Sequence, residues 1–189
     1  MKTRIFFLLV VIITLSFGVS AQRVNFALGI DGGSSFSKLD YTDYWEDGGT
    51  HRTWDLGIQG EARVRLASFI QVNTNLSLNF NSSSYRYKEI PSGGSEYKDY
   101  TFKSNGVAIQ LTEYFNFKIW RGFGIGTGPA VKFISNDKPY FGSKWRGYWA
   151  FGVDKDFGKI TARITWNQLL HSSRHDYDSM LNFAVLYCF

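Results

Sequence analysis

Large hydrophobic residues recur at every second position over eight separate stretches of this chain. The third stretch shows the pattern most clearly. Its apolar side carries Ile70, Val72, Thr74, Leu76, Leu78 and Phe80, and its polar side carries Gln71, Asn73, Asn75, Ser77, Asn79 and Asn81. Successive side chains of a β-strand point to opposite faces, whereas a helix would space its apolar residues three or four positions apart. The pattern therefore predicts eight β-strands, each with one apolar face.

The last predicted strand, residues 181–189, has the most uniform apolar face. That face consists of Leu181, Phe183, Val185, Tyr187 and Phe189. In water, an exposed edge strand this apolar would promote aggregation. A strand that faces lipid and is paired within a closed barrel avoids this hazard. We therefore expect these five side chains to face lipid.

Alternation alone also fits a water-soluble β-sandwich, so the connections between the strands decide the architecture. Tight breaks near Ala67-Ser68, Trp120-Arg121-Gly122 and Gly158 alternate with longer polar stretches at 40–51, 86–100, 136–144 and 172–178. Short periplasmic turns that alternate with long external loops are typical of outer-membrane barrels. The prediction is an all-β protein, an eight-stranded antiparallel up-and-down transmembrane β-barrel. Its even strand count would place both termini in the periplasm.

The amino terminus is typical of a secretory signal peptide. Lys2 and Arg4 precede an apolar run at 6–17, and Val19-Ser20-Ala21 forms a small-residue cleavage site. The apolar run is shorter than the roughly 20 residues of a membrane-spanning helix. We therefore expect residues 1–21 to be a signal peptide and residues 22–189 to form the barrel, in the cell outer membrane.

Composition excludes two other classes of protein. Removal of Lys2 and Arg4 would lower the formal charge from +5 by two, to +3, and the basic residues are scattered, so no nucleic-acid partner is expected. The single cysteine, Cys188, cannot form an internal disulfide. The aromatic content of 18% fits girdles of aromatic residues at two membrane interfaces.

The polar faces of the strands carry charges of both signs at similar depths. The set nearer the periplasm is Glu61, Arg63, Asp154 and Arg163, and the set nearer the outside is Asp55, Lys132 and Arg146. An eight-stranded barrel has an interior that side chains just fill, and an unpaired charge there would cost several kcal/mol. We therefore predict two layers of ion pairs that close the lumen. A proton or ion path, or a narrow passive pore, is the alternative.

Two strands contain residues that interrupt the pattern. On the fifth strand, Gly124, Gly126 and Gly128 are expected to make room for long inward side chains of the neighbouring strands, and Pro129 to mark a β-bulge. No strand-loop-helix context follows these glycines, so they do not predict a nucleotide site. On the fourth strand, Glu113 is the misfit on an otherwise apolar face.

Seven short segments of the chain carry a family resemblance. They are Val19-Ser20-Ala21-Gln22, Gly128-Pro129, Gly152-Val153, Phe157-Gly158-Lys159, Arg163-Ile164-Thr165-Trp166, Asn182-Phe183 and Tyr187-Cys188-Phe189. With these segments the chain resembles small outer-membrane β-barrel proteins of the OmpX/OmpA type, and more specifically the PorT-like group. The resemblance implies an outer-membrane location and a barrel fold. It implies no catalytic residues, because that group shares none.

The functional prediction is a non-enzymatic barrel with a structural role in the envelope or a binding role for its external loops. The expected partners are outer-membrane lipid, the barrel-assembly machinery through the C-terminal strand, and an unidentified partner of the external loops. No metal or cofactor is expected, because the acidic loop at 40–47 shows no regular ligand spacing.

A lipid-modifying enzyme is a further alternative. The pair His171 and Ser173 resembles the catalytic pair of lipid A deacylase barrels, although Arg174 follows here where that family has asparagine. In that reading His171 would activate Ser173, and Asp176 or Asp178 would orient the imidazole. A histidine in a solvated polar loop is the simpler interpretation.

Overall fold

In a computed structural model of this protein, the described residues are 24–39, 49–89, 98–135, 145–170 and 179–189. They form eight strands and the turns between them. The strands are β1 (Val24–Leu39), β2 (Gly49–Arg65), β3 (Ile70–Glu89), β4 (Lys98–Trp120), β5 (Phe123–Ile134), β6 (Trp145–Phe157), β7 (Ile160–Leu169) and β8 (Ser179–Cys188). In this part of the chain, no helix is long and apolar enough to cross a membrane.

The eight strands form one closed antiparallel barrel in chain order. Each strand pairs with its neighbours in sequence, and β1 also pairs with β8, so that Ile30 lies opposite Ile58 on one side and Val185 on the other. Within the described residues, each of the eight strands therefore pairs with a neighbour on both sides, and the sheet has no edge strand. The predicted eight-stranded up-and-down barrel is therefore confirmed.

Three short turns, at residues 66–69, 121–122 and 158–159, lie at the same end of the barrel as the start of β1 and the end of β8. We call this the short-turn end. The Phe189 N–H donates to the Phe26 carbonyl over 3.0 Å, which ties the end of the chain to β1. The four longer connections join the strands at the opposite end, so the predicted alternation of short and long connections is confirmed.

The distribution of polarity is the reverse of that in a water-soluble protein. Among the described residues, buried polar or charged residues outnumber buried hydrophobic ones about two to one. Large hydrophobic side chains point outward on every strand, and Ile58, for example, is 56% exposed while Glu61 on the same strand is 3% exposed. We call this outward apolar surface the apolar belt.

The height of the apolar belt follows from strand geometry. On β3, outward apolar residues run from Ile70 to Phe80, about ten positions. At about 3.4 Å per residue and a tilt of about 45°, this length corresponds to a height of roughly 24 Å. Exposed aromatic residues border the belt at both ends, for example Trp120 and Phe157 at the short-turn end and Trp54 and Trp145 at the other.

Two predicted loops are wrong in their bounds. The connection expected at 40–51 overlaps β2, which begins at Gly49, by three residues. Residues 86–100 were expected to be a connection, but β3 continues to Glu89 and β4 begins at Lys98, with Tyr87 paired opposite Tyr100. Beyond the apolar belt both faces of these strands carry polar residues. The alternating signal therefore fades although the hydrogen-bonded ladder continues.

The bulge predicted at Pro129 is also wrong. The pairing of β5 with β6 runs through Pro129, which lies opposite Trp149, without a change of register. On the β4 side, pairing stops at Thr112 opposite Ala130 and resumes in the same register at Phe115 opposite Thr127. The missing N–H of proline thus coincides with a local gap in pairing and not with an extra residue. The register shift lies nearer the turn, between Lys118 and Trp120.

Candidate functional site

In the described part of the chain, buried polar and charged side chains are concentrated in the lumen of the barrel. One wall of the lumen is the inward side of β3. Each inward-pointing residue of β3 from Gln71 to Asn81 is at least 92% buried. These amides form hydrogen bonds with the paired strand β2 and, across the lumen, with β1. Gln59 of β2 donates to Asn75 over 2.9 Å, and Asn79 donates to Asp31 of β1 over 3.1 Å. A hydrogen-bond partner inside the barrel offsets the cost of burying each of these two donor amides.

An ion-paired cluster fills the lumen near the short-turn end. Glu61 accepts hydrogen bonds from both Arg63 and Arg163, and the second Arg163 nitrogen lies 3.2 Å from Glu61 Oε1. Arg163 also approaches Asp154, at 3.8 Å. All four side chains are buried. The structure therefore places Glu61, Arg63, Asp154 and Arg163 together, at the depth predicted from the sequence.

Two further charges complete this cluster. Lys118 Nζ lies 2.8 Å from a carboxylate oxygen of Asp154 and 2.8 Å from one of Asp156. Asp156 in turn accepts a hydrogen bond of 2.6 Å from Thr161. The cluster contains three carboxylates and three cations, so its formal charge is balanced. We call these six residues the inner ion cluster: Glu61, Arg63, Lys118, Asp154, Asp156 and Arg163.

Lys118 and Asp156 were not among the predicted lumen charges. Both lie on the inward side of their strands, two positions beyond Asn116 and Asp154. Extending the period-two pattern to the ends of β4 and β6 would have included them. The apolar alternation is interrupted close to both positions, at the register shift of β4 and at the turn after Phe157, so the signal there was weaker.

In the second predicted layer, Asp55 and Lys132 form a direct ion pair. Lys132 Nζ contacts Asp55, which also accepts a hydrogen bond from Asn81, and the Lys132 ammonium lies 3.2 Å from Met180 Sδ. Asp55 and Lys132 are 3% and 2% exposed. Arg146 lies opposite Lys132 in the β5–β6 pairing and is half-buried. We call the first two residues the outer ion pair.

Tyr114 occupies the lumen between these layers and is 1% exposed. A Cβ on Gly126 would overlap its ring, and a Cβ on Gly152 would crowd its hydroxyl, so both glycines provide the space for it. This confirms the expectation that small inward residues of β5 accommodate long side chains of β4. The Arg163 guanidinium stacks over the ring at 5.0 Å from its centroid.

A cavity of about 30 Å³ lies beside Tyr114 and is lined by polar groups that include Asp31, Gln59 and Arg163. This volume corresponds to about one or two water molecules. It is far too small for a substrate or a solute. Beside this cavity, acidic and basic groups of the described lumen bind each other.

The described part of the chain contains no cluster of three or more His, Cys, Asp or Glu residues arranged to hold a metal ion. The alternative catalytic residues, His171, Ser173 and Asp176, lie outside the described residues. The same is true of the acidic loop at 40–47 and of the signal-peptide region at 1–21.

The C-terminal strand presents its apolar face to the outside. Phe183, Val185 and Tyr187 are about half exposed, Phe189 is 73% exposed and Leu181 is half-buried. On the inward side, Ala184 and Leu186 pack with Ala27 of β1 and with Cys188 to form a small hydrophobic cluster where the barrel closes.

Glu113 is the exception on the outward face of β4. Its two carboxylate oxygens each lie 3.1 Å from the hydroxyl of Thr74, its neighbour on β3, and the side chain is buried among the surrounding outward residues. Within the described ranges no Lys or Arg lies at ion-pair distance from it. The misfit recognised in the sequence is therefore an outward carboxyl group with a hydroxyl partner.

Comparison with known proteins gives structural neighbours only. No protein-family model matches the sequence, and a search of curated proteins finds no significant match. Among solved structures, the translocator domain of the autotransporter NalP from Neisseria meningitidis is similar at 11% identity, with 93% of this chain and 92% of that chain covered and a TM-score of 0.43.

Two further solved structures are similar to the chain. The attachment invasion locus protein Ail of Yersinia pestis has 12% identity, with 86% of this chain and 98% of that chain covered and a TM-score of 0.35. The NanC porin has 13% identity, the same coverages and a TM-score of 0.30. These similarities assign neither a family nor an activity to this chain.

Proposed function

We propose that this protein is a non-enzymatic integral protein of a bacterial outer membrane, and that its barrel is a closed anchor for the connections at its outer end. The observation that carries this proposal is the reversed polarity of the barrel. Hydrocarbon cannot satisfy backbone or side-chain polar groups, so a membrane-spanning sheet must close on itself and turn its apolar side chains outward. The apolar belt, about as tall as the hydrocarbon layer of a thin bilayer, fits this requirement.

The packed lumen supports a role without conduction. The outer ion pair and four members of the inner ion cluster (Glu61, Arg63, Asp154 and Arg163) are buried, and their charged groups contact each other. The inward amides of β3 are buried in the same lumen. An ion that entered would have to displace these interactions without gaining equivalent ones. The structure therefore favours a sealed barrel over a passive pore.

We further propose that the short-turn end faces the periplasm and that the four longer connections face outward. This orientation is typical of bacterial barrels with short turns at one end. Both termini of the barrel would then be periplasmic, and β8 would be available to the barrel-assembly machinery during insertion. The connections would provide the surface on which an envelope or extracellular partner binds. A relationship to the OmpX/OmpA-type barrels, and to the PorT-like group in particular, is part of the same proposal.

Two measurements on the purified protein test the proposal. In detergent or lipid vesicles, the unheated protein should migrate differently from the boiled protein on electrophoresis, because a closed barrel resists unfolding until heated. In planar bilayers it should give no steady single-channel conductance, while an open porin measured in parallel does. A protein that fails to insert would contradict the membrane assignment, and a steady conductance would contradict the sealed lumen.

The anchoring role is tested in cells. Crosslinking from cysteines placed in the outer connections, in a Cys188→Ser background, should capture a partner, whereas cysteines in the short turns should not react with an impermeant reagent on intact cells. Labelling of the short turns on intact cells would reverse the orientation. A deletion strain with unchanged envelope permeability, together with no crosslinked partner, would contradict the proposed role.

A further inference from the structure

The short-turn end of the barrel carries several exposed basic residues. Arg65, Arg121 and Lys159 are exposed there and Lys155 is half-buried. The carboxylates of the same region lie in the inner ion cluster, where lumen cations hold them. Among the described side chains, the exposed charged groups at the rim of the short-turn end are therefore cations.

Lys155 lies on the outward face of β6, within the aromatic border of the apolar belt. Its ammonium is 4.2 Å from the ring centroid of Phe123 and 5.8 Å from that of Phe157. It also donates a hydrogen bond to the main-chain carbonyl of Arg121. An ammonium has three N–H groups, so this contact fixes the side chain and leaves donors for a ligand.

Arg121 occupies the first position of the two-residue turn between β4 and β5. Its φ is 43° and that of Gly122 is 80°. Two successive residues with positive φ form the kind of hairpin turn in which asparagine and glycine are preferred. The turn alone does not explain an arginine at this position. Its guanidinium lies 4.6 Å from the ring centroid of Trp120, which is 63% exposed.

The Arg121 carbonyl therefore links two outward cations, each of which lies over an exposed aromatic ring at one border of the apolar belt. Aromatic rings concentrate at the depth of the lipid headgroups. A guanidinium and an ammonium at that depth match the phosphate group of a phospholipid, which arginine can bind through two parallel N–H groups.

We propose that Arg121 and Lys155 form a binding site for the phosphate of an anionic phospholipid in the leaflet that surrounds the short-turn end. Trp120 and Phe123 contact the glycerol and upper acyl region of the same lipid. The site rests on the proposed function, because it requires the apolar belt to lie in a bilayer. It goes beyond that function by selecting one class of lipid over a zwitterionic one.

The site is tested by native mass spectrometry of the full-length protein, with phosphatidylglycerol and phosphatidylcholine as the lipid probes. The variants are Arg121→Asn, which suits the turn, and Lys155→Gln. Each should weaken the binding of phosphatidylglycerol about fivefold, and the double variant about 25-fold, while phosphatidylcholine binding stays unchanged. Lys98→Gln, an exposed lysine at the opposite end, is the matched control and should bind like the wild type.

The outcomes separate this inference from the proposed function. Heat-modifiable migration of every variant shows that the barrel still inserts and closes. If inserted protein binds both lipids equally, or if the variants bind phosphatidylglycerol as the wild type does, the lipid site is wrong and the membrane barrel stands. Displacement of the lipid by excess inorganic phosphate would also overturn the site, because it would indicate a site for free phosphate. Failure of the wild type to insert would overturn both.

Discussion

Breaking the outer ion pair should destabilise the barrel strongly, whereas replacing both partners should not. The perturbation is Lys132→Met, Asp55→Asn and the combination of the two. Both side chains are almost fully buried, at 2% and 3% exposure, and they contact each other directly. Either single change leaves the other charge in the lumen without its ionic partner.

The magnitude follows from burial. Two unit charges about 4 Å apart attract each other by about 4 kcal/mol at an effective dielectric constant of about 20. Removing one partner of a buried pair typically costs about 3–5 kcal/mol, because the remaining charge is desolvated and uncompensated. Replacing both by groups of similar volume is often nearly neutral. We therefore expect a loss of about 3–5 kcal/mol for each single variant and of less than about 2 kcal/mol for the double variant.

The assay is equilibrium unfolding in urea from lipid vesicles, followed by tryptophan fluorescence and by electrophoretic mobility. The chain provides a matched control in Arg86 and Asp99, which form an ion pair at 2.8 Å with side chains 62% and 45% exposed. Exposed pairs contribute about 0–1 kcal/mol. Arg86→Met should therefore reduce the free energy of unfolding by less than about 1 kcal/mol.

A different result would refute the reasoning in a specific way. If Lys132→Met costs no more than Arg86→Met, water must screen the lumen charges as effectively as it screens surface charges. The lumen would then be hydrated and open, which would contradict the sealed lumen that we propose.

Three further predictions extend the same reasoning, and each is measured by the same unfolding assay. Gly126→Ala should cost about 1–3 kcal/mol, because its Cβ would overlap the Tyr114 ring. The control Gly60→Ala should cost less than about 1 kcal/mol, because its Cβ meets no heavy atom within 4 Å. Equal costs would contradict the packing of Tyr114. Glu113→Leu should stabilise the protein in lipid by about 1–2 kcal/mol, because it removes a buried carboxyl group from the outward, apolar side of β4. A loss of stability would show that the carboxyl group supports the fold. Val185→Arg should cost about 2–4 kcal/mol in lipid; a neutral effect would indicate that this face meets water.

The strand pattern was predictable from the sequence because a barrel wall obeys a simple rule. Each side chain meets either the lumen or the outside. The alternation of apolar and polar residues therefore predicts directly that Ile58 is exposed and that Glu61 is buried. Depth could be counted from the tight turns, which brought Glu61 and Arg163 to one level. Their contact required only that the two strands face each other across a narrow lumen.

Features that depend on register or on exact packing were not predictable in the same way. The extension of β3 and β4 beyond the belt carries no apolar alternation, so residues 86–100 resembled a loop. The β4–β5 register is the same on both sides of the pairing gap at Pro129. The missing N–H of proline thus interrupts the pairing without an added residue, which the sequence pattern does not distinguish from a bulge. The partner of Glu113 became visible only when the β3–β4 register placed Thr74 opposite it.

The most direct test of the account is the environment of the outward side chains, measured by electron paramagnetic resonance in lipid bilayers. A nitroxide is attached at single cysteines in a Cys188→Ser background, at the outward positions Ile58, Leu78, Ile109, Val153, Ile164 and Val185. If these side chains meet hydrocarbon, every label should collide with dissolved oxygen and be shielded from a water-soluble nickel chelate. Labels that collide readily with the nickel chelate, or that are shielded from both reagents by other protein, would contradict the membrane-spanning barrel.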